Sequence, residues 1–320
     1  MPQTAPNPGV LGVSWVRTES PEDCPAEHPE ECSAPCPVSP TVTPMHAWVD
    51  GSLLPDPHVR AVRVTDHGLT VGDGVFETLK VVDGRPFALG PHLDRLERSA
   101  TGLGLDAPDR DAVLAGVRAV LDAANLSLGR LRITVTGGPA PMGSGRGDEG
   151  QTITVVADGM PPTAPSSAIV TVPWPRNERG ATAGLKTTSY AENVIALAHA
   201  RSQGADEAVF ANTVGDLCEG TGSNIFYVVD GELRTPTLAS GCLAGVTRAL
   251  VLRWCGGREV DAPLEQVAAQ AEEVFLASTT RDVQPVLRWD GRTWAEPGPV
   301  TRAAARAWEE REPEGFALQP

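Results

Sequence analysis

The sequence predicts an α+β protein of two lobes with mixed sheets, and three observations support it. Asp-Gly hairpin signals recur at Asp83-Gly84, Asp230-Gly231 and Asp290-Gly291, so hairpins outnumber the strand–helix–strand units of a doubly wound sheet. Apolar residues at helical spacing fall between these hairpins, giving interleaved rather than segregated elements. The stretch Asp158-Gly159-Met160-Pro161-Pro162-Thr163-Ala164-Pro165-Ser166-Ser167 has linker composition. The expected organisation is an extension over 1–44, a small lobe over 45–160, a linker over 161–170 and a larger lobe over 171–320.

In order, Ala47-Trp48-Val49-Asp50-Gly51 reads as a strand running into a turn, and Val62-Arg63-Val64-Thr65-Asp66 as the next. Gly72-Asp73-Gly74 opens an alternating strand over 75–82, which returns through Arg85-Pro86-Phe87-Ala88-Leu89. Leu93, Leu96, Ala100 and Leu103 predict a helix over 91–103, stopped by Gly104. Val113, Val117, Val120 and Leu121 predict a second over 109–124. Strands over 131–136 and 152–156 flank a glycine-rich loop.

Beyond the linker a strand covers 169–172 and a loop leads to Lys186. A helix over 190–202 should bury Val194, Leu197 and Ala198. Short strands follow over 207–211, 225–229 and 232–234, then a helix over 249–254, strands over 273–278 and 283–289, and a closing helix over 300–310. The chain has no internal repeat.

The net charge of −15 disfavours nucleic acid and anionic membrane surfaces as partners, since both select basic patches. No apolar run approaches a membrane span of about 18 residues. The first 44 residues lack the charged and apolar regions of a secretory signal. They are rich in Pro, Glu, Ser and Thr, which predicts disorder, and Met45 is an expected start of the folded chain. Cys24, Cys32 and Cys36 match no common zinc spacing, so no metal is expected. Cys218, Cys242 and Cys255 read as buried thiols of a cytoplasmic protein.

Two glycine-rich stretches fail as phosphate loops. In Gly184-Leu185-Lys186-Thr187 a leucine intervenes between the glycine and the lysine, and Gly143-Ser144-Gly145-Arg146-Gly147 joins two strands and opens no helix.

The basic residues number 26, and only Lys80 and Lys186 among them are lysines. A guanidinium stays protonated, whereas an amine can lose its proton and attack a carbonyl. Alternation places Lys80 beside an edge or in solvent, which leaves Lys186 as the chemical candidate. A lysine pKa near 10.4 makes the neutral amine cost roughly 4–5 kcal/mol at pH 7. Joining it to an electron-poor aldehyde ring removes most of that cost, because an imine is far less basic. Pyridoxal phosphate offers such a ring; its ring nitrogen needs a carboxylate, and its phosphate needs a helix N-terminus, hydroxyls and an arginine. Glu219, among small uncharged residues in Cys218-Glu219-Gly220-Thr221-Gly222-Ser223-Asn224, supplies the carboxylate. Gly241-Cys242-Leu243-Ala244-Gly245-Val246-Thr247-Arg248 supplies a glycine turn and a helix start, and Ser278-Thr279-Thr280 supplies hydroxyls.

Together with Gly72-Asp73-Gly74-Val75-Phe76-Glu77 and His92-Leu93-Asp94-Arg95-Leu96, this set resembles the fold-type-IV pyridoxal-phosphate enzymes, the class IV aminotransferase family, over about 48–308. The resemblance implies an α/β (α+β) fold of two lobes with the cofactor between them, and a homodimer that completes the site. It implies that Lys186 holds pyridoxal 5'-phosphate and moves the substrate α-proton. Glu219 would face the ring nitrogen and Leu243 would pack on the ring, with Tyr190 beside it. Arg95, the amides of Val246 and Thr247, the Thr247 hydroxyl and Thr279 would bind phosphate.

Phe76 lacks the hydroxyl expected of the D-amino-acid branch, and the loop at Pro141-Met142-Gly143-Ser144 lacks that branch's Arg-His pair. Arg132 matches a carboxylate-binding arginine of the branched-chain enzymes, while the Gly145-Arg146-Gly147 loop looks like that of 4-amino-4-deoxychorismate lyases. Phe76, Thr78, Arg132 and Arg146 are the expected substrate residues. The expected reaction is release of pyruvate and 4-aminobenzoate, a folate precursor. The alternative is transamination of branched-chain or related amino acids with 2-oxoglutarate.

Overall fold

The structure, a computed structural model, describes residues 45–320. The expectation of disorder over 1–44 lies outside the described residues. A six-stranded antiparallel sheet forms the first lobe: β1 (His46–Val49), β2 (Ser52–Leu53), β3 (Gly74–Val82), β4 (Arg85–Pro86), β5 (Leu128–Thr136) and β6 (Thr152–Gly159), in the order β2-β1-β6-β5-β3-β4. A one-turn helix, α1 (His67–Thr70), precedes β3. Two helices pack on this sheet, α2 (Leu89–Gly102) and α3 (Arg110–Ala124).

The apolar residues at helical spacing bury as the sequence implies. Leu93, Leu96 and Ala100 of α2 and Val113, Val117 and Val120 of α3 share one core with Val75, Leu79, Ile133 and Val155. Asp109 caps α3 by accepting from the amides of Asp111 and Ala112. Inside α3, Gly116 is required by close approach: a Cβ there would stand 2.8 Å from Trp48. That contact offsets the helix cost of an interior glycine, about 1 kcal/mol.

The second sheet has nine strands: β7 (Ser167–Thr171), β8 (Glu207–Ala211), β9 (Leu217–Gly220), β10 (Asn224–Val229), β11 (Glu232–Thr235), β12 (Arg258–Glu259), β13 (Glu273–Ser278), β14 (Asp282–Trp289) and β15 (Arg292–Thr293). The order is β12-β11-β10-β13-β14-β7-β8-β9, with β15 paired to β14, and β7 lies parallel to both β14 and β8. In this order β9 and β10 stand five positions apart, roughly 24 Å across a flat sheet. Three residues, Thr221, Gly222 and Ser223, connect them, and such a link reaches about 14 Å at most. The sheet therefore curls until the two strands meet. Glu219 sits at the end of β9, beside that closure.

Four helices accompany this sheet: α4 (Ala191–Ser202), α5 (Val246–Cys255), α6 (Leu264–Gln270) and α7 (Pro299–Phe316). The C-terminal end of α7 returns to the first lobe. The start of α2 has no side-chain cap, and the Ala88 and Gly90 amides donate instead to the carbonyls of Gly315 and Leu318, at 3.1 and 3.0 Å. Phe87 enters the core of Phe226, Trp254 and Trp308, so the first lobe is keyed into the second.

Several expectations need correction. Lys80 is neither at an edge nor in solvent: it is buried on β3, which pairs on both sides, and its amine meets Asp282 and Glu312. Residues 62–66 form no strand, only an isolated bridge from Asp66 to Pro139. On α4 the burial phase differs from the one expected. Val194 is exposed, and Asn193, Ala196 and Ala200 are buried. Asn193 turns inward because its side-chain amide donates to the Thr221 carbonyl and its oxygen accepts from Arg176. β7 begins at Ser167, inside the segment expected as linker. No described helix is long and apolar enough to cross a membrane.

Candidate active site

A cavity of about 500 Å³ lies between the lobes. From the first lobe, Phe76, Thr78, His92, Arg95 and Arg132 reach it; from the second come Lys186, Tyr190, Glu219 and Leu243, with Val246, Thr247 and Thr279 at one end.

Lys186 is fixed by its backbone. Its amide donates to the Ser99 hydroxyl of α2 at 3.2 Å, and its carbonyl accepts from the Phe76 amide at 3.0 Å. The next residue, Thr187, bridges to Val75. The side-chain amine then lies 4.2 Å from the Phe76 ring centroid and 5.8 Å from that of Tyr190. Burial, and then the charge of Arg95, bring its pKa down to about 8, against the opposing pull of Glu77 and Glu219. An amine at this value is partly neutral near pH 7, as a nucleophile and base must be.

Glu219 accepts from the Leu243 amide at 2.9 Å and lies 3.5 Å from Nε of Arg176. Burial raises its pKa; Arg176, the Leu243 amide and Lys186 oppose the rise. Arg176 is held by Asn193 and stacks over Phe210, its carbon 4.2 Å from the ring centroid. The Tyr190 hydroxyl donates to the Thr221 carbonyl at 3.1 Å, and its ring meets Phe76 edge-on at 5.3 Å.

Arg95 is buried, with both Nε and Nη2 donating to Glu77 at 2.7 Å and Nη1 donating to the Ala244 carbonyl at 3.2 Å. Burial alone would raise the Glu77 pKa, but the Arg95 charge and hydrogen bonds, with His92 behind them, bring it down to about 2. The pair stays ionised and carries the guanidinium to the start of α5. There Gly245 is the N-cap and offers no side-chain cap, so the first amides of the helix are available to an anion. A Cβ on Gly245 would fall 2.0 Å from Oδ1 of Asn224, so only glycine lets this turn close. The Thr279 hydroxyl completes this end of the cavity and accepts from the Lys80 amide at 3.1 Å.

Arg132 projects from β5 opposite Thr78 in the β3 register. Its guanidinium carbon lies 3.8 Å from the Phe76 ring centroid, and it has no acidic partner among the described residues. Burial lowers its pKa. Arg146 is elsewhere. It is exposed and donates to Asp73 at 2.7 and 2.8 Å and to the carbonyls of Leu103 and Gly104, which fastens the glycine-rich loop rather than lining the cavity.

Sequence reasoning assigned no role to Arg176, Asn193, Glu77, His92 or Ser99. Glu77 and His92 stand in the quoted motifs and are visible as a spacing. Arg176 lies in a loop, and no periodicity marks it. Among the described residues no cluster of His, Cys, Asp or Glu is placed to hold a metal.

Fold and site define a two-lobed protein whose central cavity brings together the Lys186 amine, the Glu219 carboxylate and the uncapped start of α5. The model for amino-transferase class IV matches residues 74–289, and the chain belongs to the class IV aminotransferase family, whose cofactor is pyridoxal phosphate. A Methanocaldococcus jannaschii protein with the provisional name branched-chain-amino-acid aminotransferase is 33% identical over 78% of this chain and 89% of its own length. The D-alanine aminotransferase of Bacillus licheniformis is 31% identical over 76% of this chain and 88% of its own. The branched-chain aminotransferase of Thermoproteus uzoniensis, solved with norvaline, superposes with a TM-score of 0.77 at 27% identity, covering 86% of this chain and 96% of that one.

Proposed function

We propose that this chain is a pyridoxal-phosphate-dependent aminotransferase of α-amino acids with apolar side chains. The observation that carries the reading is Arg132: a guanidinium facing the cavity of Lys186, stacked on Phe76 and free of any acidic partner among the described residues. A guanidinium that faces the cavity without an acidic partner is open to the bidentate hydrogen bonds of a carboxylate brought by a substrate.

The residues present fit the cofactor. Lys186 would hold it covalently, Glu219 would face its ring nitrogen, Leu243 would pack against the ring and Tyr190 would stand beside it. Arg95, the Val246 and Thr247 amides, the Thr247 hydroxyl and Thr279 would receive the phosphate. When bound, the cofactor supplies an electron sink that makes the substrate α-proton removable. The Lys186 amine takes and returns that proton, Glu219 keeps a negative charge opposite it, and Phe76 and Tyr190 exclude water from the space between.

A second reading is a lyase that releases pyruvate from aminodeoxychorismate. Thr78 favours it, because it places a hydroxyl in the cavity directly across from Arg132. The names of the relatives support the aminotransferase. The test is product formation by the purified protein: glutamate from leucine, or from D-alanine, with 2-oxoglutarate, against 4-aminobenzoate and pyruvate from aminodeoxychorismate. Formation of 4-aminobenzoate without glutamate would reverse the order of the two readings.

The same reading includes a homodimer in the cytoplasm. Val62, Val64, Leu69, Val71 and Met142 are exposed on two segments joined by hydrogen bonds from Ala140 to Thr65 and from His67 to Gly138. Such an apolar patch fits a second copy of the chain. The described cysteines, Cys218, Cys242 and Cys255, are unpaired thiols, as a reducing compartment leaves them.

A further inference from the structure

Lys80 is the other lysine of a chain that otherwise uses arginine, and its surroundings give it a task. Its amine is within 2.6 and 2.7 Å of the two carboxylate oxygens of Asp282 and also donates to Glu312. Asp282 opens β14 immediately after the turn Ser278-Thr279-Thr280-Arg281, and it holds a left-handed φ of 55°. Glu312 belongs to α7. The carboxylates therefore come from two separate elements. A compact ammonium with three donors can satisfy both, whereas a planar guanidinium fork is built for one bidentate partner.

The same residue reaches the turn a second way. The backbone amide of Lys80 donates to the Thr279 hydroxyl oxygen at 3.1 Å. A hydroxyl has one proton to donate. With its oxygen already accepting from Lys80, Thr279 keeps that proton for a partner in the cavity it lines. One residue of the first lobe thus grips both ends of a turn in the second: Thr279 through its amide and Asp282 through its amine.

We propose that Lys80 is a positioning residue for the cofactor phosphate, holding the Thr279 hydroxyl in its donating orientation and tying the phosphate end of the cavity to strand β3. This rests on the reading of Thr279 as a phosphate contact. It follows that Lys80 affects the affinity for the phosphate group selectively, and that docking of the small lobe and retention of the cofactor are coupled.

The test compares Kd for pyridoxal 5'-phosphate with Kd for pyridoxal, which lacks the phosphate, measured by release from and return to the holoprotein. Thr279→Val sets the scale and should raise the pyridoxal phosphate value about tenfold while moving that of pyridoxal less than about twofold. Lys80→Met removes the amine's hold on Asp282 and should reproduce that selective loss, Lys80→Arg should recover only part of it, and Lys80→Met added to Thr279→Val should add little, because the two act on one hydroxyl. Asp282→Asn leaves the amine paired with Glu312 and should give a smaller loss in the same direction; it carries the test if Lys80→Met does not fold. If Thr279→Val shows the selective loss while the Lys80 and Asp282 variants weaken both ligands alike, Lys80 is a structural clamp and the proposal is overturned. If Thr279→Val itself shows no selectivity, the phosphate reading of the turn fails and the proposal falls with it.

Discussion

The amine of Lys186 stands 4.2 Å from the ring centroid of Phe76, while the Phe76 amide donates to the Lys186 carbonyl at 3.0 Å. One residue of β3 thus fixes the lysine at both ends. The backbone contact settles where the residue is, and the ring settles what surrounds the amine. Apolar walls disfavour its charged form, so the small lobe helps set the reactivity of a lysine that belongs to the large one.

That arrangement makes the Lys186 amine directly measurable, because the chain has only two lysines. Amine-selective methylation of the cofactor-free protein, read by peptide mass, should modify Lys186 with an inflection near the pKa of about 8. Lys80, enclosed by Asp282 and Glu312, should stay unmodified until the chain unfolds. In the loaded protein Lys186 should be protected, and borohydride should attach a pyridoxyl group to its peptide. Lys186→Ala should abolish that adduct and lower turnover by at least about a thousandfold; a surviving adduct would move the attachment elsewhere.

Arg132 should act on substrate rather than on cofactor. Arg132→Gln keeps a polar side chain and removes the charge over Phe76. Loss of a charged hydrogen bond of about 1.5–3 kcal/mol corresponds to a fall in kcat/KM of roughly 10- to 150-fold. The fall should appear in KM for the dicarboxylic keto acid, with the absorbance of the bound cofactor unchanged. Arg146→Gln should leave that KM nearly as it is and should instead speed proteolysis in the 138–150 loop, since Arg146 is engaged with Asp73.

Glu77 should reveal itself through acid stability. Its folded pKa of about 2 lies below the ordinary glutamate value of 4.5. The stability it contributes is therefore fully present above about pH 4.5 and is lost as the pH falls towards 2. Glu77→Gln leaves Arg95 buried without its counter-charge and should cost about 3–5 kcal/mol at neutral pH. Chemical denaturation as a function of pH checks both: the variant should be weaker at pH 7 and should lack this component of the acid transition.

Much of this was legible in the sequence, for identifiable reasons. α2 and α3 announced themselves because their apolar spacing faces one sheet and Asp109 supplies a cap. Lys186, Glu219 and the start of α5 stood out as chemistry-bearing residues in settings that did not otherwise explain them. Lys80 was misread because its partners, Asp282 and Glu312, lie 202 and 232 residues away, and strand alternation carries no information about them. Arg146 was read from a loop motif, and its pairing with Asp73 depends on how that loop folds back. The phase of α4 failed because Asn193 is buried by two hydrogen bonds, which outweigh the exposure of Val194.

Glu219 offers a case in which stability and activity should move in opposite directions. Burial raises its pKa above the usual carboxylate value, with Arg176 opposing. Between the unfolded value and this higher one, the folded cofactor-free chain binds more protons than the unfolded chain, so stability rises as the pH falls through that window. The same protonation removes the charge that Lys186 and the cofactor ring require, so turnover of the loaded enzyme should fall as acid is added. Glu219→Gln retains an acceptor for the Leu243 amide and lacks the charge at every pH. It should flatten the acidic rise in stability and lower kcat about 10²–10³-fold, as loss of one preorganised electrostatic contact does. Parallel denaturation and pH–rate measurements on both proteins decide the matter: an acidic limb of stability and rate that survives unchanged in the variant would assign the titration to another group.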